Sequence, residues 1–184
     1  MIHNVNTILP CVLTYECRHD FEDLIERIEV ESRKPWSHLP FTTGWTDEEG
    51  TTSEFLSIGR SHESEISSLR KIGDAARYCN DIIEGCLHDY ITHYAVDASG
   101  DSGTFIYKIT GENNYSTRLG PPDNFFVLTS IMALTEIKVN LERFETEFVV
   151  APGDVYVVPA QFPHEHSILG IPDSAYMLGK HLRA

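Results

Sequence analysis

A Pro-Gly-Asp turn between two apolar runs restricts this chain more than any other feature. It lies in the stretch 149–168, VVAPGDVYVVPAQFPHEHSI. Glu147-Phe148-Val149-Val150 reads as a strand, Ala151-Pro152-Gly153-Asp154 as a sharp turn, and Val155-Tyr156-Val157-Val158 as a second strand closed by Pro159. The turn has a mechanism. Pro presets φ, Gly takes a conformation that other residues resist, and Asp bonds to nearby backbone. The segment 147–158 is expected to be a hairpin. His164 and His166 follow on the next segment, and on extended backbone residues i and i+2 point to one side. Both imidazoles are therefore expected to face one cavity.

The formal net charge of −14 narrows the possible partners. Phosphate backbones repel such a surface, and the 14 Lys and Arg form no cluster, so nucleic acid is excluded as a direct partner. An acidic surface suits basic patches on other proteins. A hydrophobic content of 41% in 184 residues is enough for a buried core. The chain is expected to be one domain over 1–184, with helical support mainly over 15–94 and a β core mainly over 104–180.

Cys11, Cys17, Cys79 and Cys86 form no CxxC pair. Cys79 and Cys86 fall on one face of a helical stretch, and all four read as core thiols rather than a disulfide or metal site. The start, MIHNVNTILPCVL, lacks a basic leader pattern, and no later run approaches the length of a membrane span. These features predict a soluble protein of a reducing compartment.

In chain order, residues 5–13 suggest a strand ending near Tyr15. Phe21, Leu24, Ile25 and Ile28 then recur at helical spacing from Tyr15 to Glu31. Residues 32–60 hold five Pro and Gly among Trp36, Phe41, Trp45 and Phe55, which predicts irregular chain with one short strand, Glu54 to Ile58. The aromatics would plug a sheet or rim a binding site. Ser61 or Ser64 could cap a helix reaching about Tyr94, with an interruption at Gly73. Its stripe includes Leu69, Ile72, Ile83, Cys86, Leu87 and Tyr90, while His88 and His93 sit on different faces and read as solvated. Residues 97–103 are polar but lack the full calcium-loop pattern. Strands are expected at 104–110, 115–119, 125–134, 137–141 and 175–178. Helices first and strands second indicate an α+β protein, with helices packed on a β-sandwich or barrel.

With these elements in order, the whole chain resembles the prolyl-4-hydroxylase-like branch of the Fe(II)/2-oxoglutarate oxygenases. Tyr107 and Tyr115 resemble the family's Tyr-turn-Tyr approach to a His-x-Asp motif. Gly153, Pro159 and His164 resemble its Gly-turn-strand-Pro path to the distal metal histidine. The resemblance implies a double-stranded β-helix, of the jelly-roll or cupin-like kind, with amino-terminal support helices. It also implies ferrous iron held by two imidazoles and a carboxylate, and a basic residue for the 2-oxoglutarate carboxylate.

Residue by residue, His164 falls on the distal ligand. The His-x-Asp positions hold Arg118 and Gly120, and the anchor falls near Ser174 or Ala175. A guanidinium has no lone pair to donate, and Gly has no side chain. A slipped register would offer Asp123 as the carboxylate but no His beside it, and Lys180 or Arg183 would be an alternative anchor. The stretch also resembles the second cupin motif, with Gln161 and Ile168 in place of its Gly and Asn.

These departures favour a non-catalytic structural or assembly protein on an oxygenase-like fold, with no cofactor and with other proteins as partners. What the resemblance further suggests is a phage virion component in a neck, connector or tail, located in the virion or host cytoplasm. The alternative is an active Fe(II)/2-oxoglutarate hydroxylase with His164 and His166 as metal ligands. A cupin-like small-molecule binder is the remaining reading.

Overall fold

The computed structural model describes residues 2–17, 42–46, 52–58, 67–97, 101–110, 115–117, 127–159, 162, 164–169 and 174–183. Its strands are β1 (Asn4–Leu9), β2 (Val12–Glu16), β3 (Thr42–Thr46), β4 (Thr52–Ile58), β5 (Asp101–Thr110) and β6 (Tyr115–Thr117). They continue with β7 (Val127–Ala133), β8 (Ile137–Leu141), β9 (Thr146–Val150), β10 (Val155–Pro159), β11 (His164–Ile168) and β12 (Ser174–Arg183). One long helix, α1 (Ser67–Tyr94), precedes β5. The strands form an eight-stranded sheet, β1-β2-β10-β7-β12-β5-β4-β3, and a four-stranded sheet, β6-β11-β8-β9. Every pairing is antiparallel.

Side-chain alternation divides the large sheet into two working faces. On β10, Val155 and Val157 join a core beneath α1, while Tyr156 and Val158 join a second core between the sheets. On β7, Leu128 and Met132 face the helix, and Ile131 and Ala133 face the small sheet. Both sides are covered, so β10 is buried throughout and reads as an unbroken apolar run. The small sheet has one wet face. On β8, Ile137, Val139 and Leu141 point inward, and outward-facing Lys138 pairs with Glu147 on β9 at 3.1 Å.

α1 lies across β7, β10 and β12. Cys79, Ile83, Cys86, Leu87 and Tyr90 form its buried stripe, and each large aliphatic among them contributes roughly 1.5–3 kcal/mol by leaving water. Polar bonds fix its position on the β1–β2 hairpin. The Tyr15 hydroxyl donates to Asp89 at 3.1 Å, and the Tyr90 hydroxyl donates to the Cys11 carbonyl at 2.8 Å. Burial, then the neighbouring Asp89, raises the Tyr15 phenol above its ordinary value, so it stays a donor. The helix runs through Gly73 without a break, and His88 and His93 are exposed. No described helix is long and apolar enough to cross a membrane.

Several sequence expectations need correction. Residues 5–13 do not form one strand: the chain reverses at Pro10-Cys11, where Pro offers no ladder donor, and Leu9 pairs with Val12. Tyr15 and Glu16 belong to β2, so no helix starts at Tyr15. The rest of that expected helix, 18–31, lies outside the described residues, as do Ser61 and Ser64. Thr42–Thr46 and Thr52–Ile58 are two paired strands rather than one, and they extend the large sheet.

The segment 147–158 is not a hairpin. β9 pairs with β8 in the small sheet, and β10 pairs with β2 and β7 in the large one. The Pro-Gly-Asp turn is instead a corner between sheets. Gly153 takes φ 89° there, and its N–H donates to the Ala133 carbonyl at 2.7 Å. The Ala133 N–H donates to the Asp154 carbonyl at 3.0 Å, and the Asp154 carboxylate accepts from the Cys17 N–H at 2.9 Å. These bonds fasten the corner to the end of β7 and the end of β2.

Candidate functional site

β11 brings both histidines into the interior between the sheets. His164 and His166 are each 1% exposed, and their ring centroids are 5.1 Å apart at 88°. The i, i+2 spacing predicts this shared face. His166 pairs in register with Val139 of β8, whose side chain also points inward. Facing the pair from the large sheet is Tyr156. Its hydroxyl hydrogen-bonds to His166 Nε2, and its ring centroid lies 6.1 Å from that of His164. Phe148 packs edge-on against Tyr156 at 5.7 Å. The cluster therefore spans the sandwich, with β10 on one side and β11 on the other.

The protonation pattern follows from these partners. His164 Nδ1 lies 2.8 Å from the Phe162 carbonyl, which only accepts, so Nδ1 carries the proton. In the neutral ring, Nε2 then holds the lone pair. Burial pushes the His164 imidazole below its ordinary value, against the opposing pull of that carbonyl. Burial, reinforced by the neighbouring His164, pushes His166 well below its own. Both rings are neutral at pH 7.

A neutral imidazole with Nδ1 bonded to a carbonyl has the form of a metal ligand. One such nitrogen does not hold iron. His166 Nε2 is engaged by the Tyr156 phenol, and no group of three or more His, Cys, Asp or Glu able to hold a metal occurs among the described residues. Arg118, Gly120 and Asp123 lie outside the described residues. The described donor set does not fit a two-imidazole, one-carboxylate iron site.

Lys180, one of the two alternative anchors, faces away from the histidines. It lies on the helix-facing side of β12 with Leu178 and Leu182, and its ammonium pairs with Glu84 of α1. The large sheet separates it from the histidines, so it does not anchor a cosubstrate beside them. Ser174 and Ala175 pair in register with Thr110 and Ile109 of β5.

No protein-family model matches the sequence, and no curated protein matches it. Solved structures do match by shape. The non-heme α-ketoglutarate-dependent carbocyclase SnoK from nogalamycin biosynthesis has TM-score 0.59 and 11% identity, covering 94% of this chain and 79% of that one. The epimerase SnoN, solved with Fe3+, α-ketoglutarate and nogalamycin RO, has TM-score 0.58 and 11% identity, covering 94% and 78%. A prolyl-4-hydroxylase from Pseudomonas putida has TM-score 0.52 and 13% identity, covering 94% and 92%. The chain has the fold of the Fe(II)/2-oxoglutarate oxygenases.

Within that oxygenase fold, His164 begins β11 and pairs in register with Thr117, the residue before Arg118. Sequence reading found the histidines because imidazoles are rare and their spacing is informative. It missed Tyr156, which was legible only as one aromatic in an apolar strand. The signal was parity across the corner, and the hairpin reading hid it.

Proposed function

We propose that this chain is a non-catalytic module on an oxygenase-like β-helix, serving as a structural or assembly part with other proteins as its partners. The observation that carries this reading is the buried bond between Tyr156 and His166. One nitrogen of the histidine pair joins the two sheets there, close to the position that the family resemblance gives to the distal iron ligand. Arg118 and Gly120 at the matched ligand positions support it, because neither donates a lone pair. The assembly suggested by the sequence resemblance is a virion, with the chain in a neck, connector or tail. A net charge of −14 supports docking against basic protein surfaces.

The alternative is an Fe(II)/2-oxoglutarate hydroxylase with a non-standard ligand set. The proton on His164 Nδ1 favours it, since Nε2 then presents a lone pair. Anaerobic titration with Fe(II) or Mn(II), with and without 2-oxoglutarate, separates the two. The structural reading expects no saturable site. Tight binding of one ion per chain, strengthened by 2-oxoglutarate and lost in His164→Ala, would overturn it.

A further inference from the structure

Cys17 and Cys86 meet where β2 ends and α1 crosses it. Their sulfurs are 3.7 Å apart, both residues are fully buried, and they stand 69 residues apart in the sequence. A disulfide closes at about 2.05 Å, so the remaining approach is under ~2 Å and lies within reach of side-chain rotation. The surrounding seam is held on both sides. Tyr15–Asp89 and Tyr90–Cys11 tie the same helix to the same hairpin, and Asp154 fixes the Cys17 backbone.

We propose that Cys17 and Cys86 are a site of reversible oxidation, closed by a peroxide into a disulfide that staples the helix to the large sheet. The inference is independent of the proposed function. It rests on the placement of two thiols from distant parts of the chain in one contact. Cys79, on the buried face of the same helix, is free of disulfide bonding like the other three cysteines.

The chemistry balances with hydrogen peroxide as oxidant. The Cys17 thiolate attacks one peroxide oxygen and breaks the O–O bond, forming a sulfenic acid. The departing hydroxide takes the proton that Cys17 released and becomes water. The Cys86 sulfur then attacks the Cys17 sulfur, the S–O bond breaks, and the second hydroxide leaves as water with the Cys86 proton. The two thiols lose two electrons and the peroxide gains them. Either sulfur can be the donor in this contact, and the same disulfide forms when Cys86 attacks first. Peroxide is small and neutral, and it enters through local opening of the seam. In a reducing compartment such a bond is transient and responds to redox state.

The test uses the full chain carrying Cys11→Ser and Cys79→Ser, which leaves only the proposed pair. Hydrogen peroxide should remove both titratable thiols within one monomer, and the thermal midpoint should rise by roughly 10 °C and return with dithiothreitol. The wild-type chain should give the same cross-link on cleavage at acidic residues, because Glu16 separates Cys11 from Cys17 and Asp81 separates Cys79 from Cys86. Retention of both thiols in the folded variant, sulfinic acid without a cross-link, or bonding only between chains would overturn the proposal. So would a wild-type cross-link that uses Cys11 or Cys79.

Discussion

The phenol of Tyr156 and the imidazole of His166 bond across the interior of the sandwich, joining a strand of the large sheet to a strand of the small one. Removing the hydroxyl keeps the ring and its packing on Phe148 but takes the partner from a buried nitrogen. Tyr156→Phe should therefore lose about 1–3 kcal/mol of stability, read from urea denaturation at neutral pH. An unchanged midpoint would mean that the bond contributes nothing net.

Acid should weaken the fold through the same cluster. Burial holds both imidazoles below the ordinary value of 6.5, so the unfolded chain binds protons more readily than the folded one. The stability from these groups is full above about pH 6.5 and declines as pH falls beneath it, by up to roughly 1.4 kcal/mol per pH unit for each imidazole. Denaturation midpoints between pH 7.5 and 5 measure this, and His166→Asn should flatten the slope. A flat wild-type profile over that range contradicts the burial argument.

The corner at Gly153 makes a separate demand. With φ at 89°, a β-carbon is strained, and Gly153→Ala should cost roughly 1–2 kcal/mol. Thermal melts of the variant check it. Asp154, whose carboxylate holds the Cys17 N–H, should remain bonded, so a hydrogen-exchange change confined to the corner is expected.

Lys180 and Glu84 should respond unequally. The Lys180 side chain is 6% exposed and that of Glu84 is 52% exposed. Lys180→Met leaves a half-exposed carboxylate to water and should shift stability by less than ~1 kcal/mol. Glu84→Leu removes a carboxylate paired with a buried ammonium and should cost more, on the order of 2–3 kcal/mol. Equal losses in urea denaturation would show that the pair does not act as its burial implies.

The sequence carried the β core well because its strands are strongly patterned. Ile137–Leu141 alternates cleanly, and Val155–Pro159 is apolar throughout because each of its faces meets a different core. Pairing was less legible. A Pro-Gly-Asp turn looks the same whether the chain folds back on its own sheet or crosses to another, since the choice is made by Ala133 and Cys17, far away in sequence. The same limit hid the Cys17–Cys86 contact, which no local spacing encodes. Lys180 was left open for another reason: a charge late in a strand does not reveal which face it occupies, and alternation with Leu178 and Leu182 puts it on the helix side, where Glu84 pairs with it.

The corner between β9 and β10 also acts as a gearing tooth for the whole molecule. Because side chains alternate, one residue more or fewer between Val150 and Val155 would turn β10 over by one step. Val155 and Val157 would then enter the space before the histidines, and Tyr156 would be driven under the helix. Such a change in length would not merely loosen a loop. It would trade the contents of two cores, and natural variants should conserve the length of this corner even where they vary its residues.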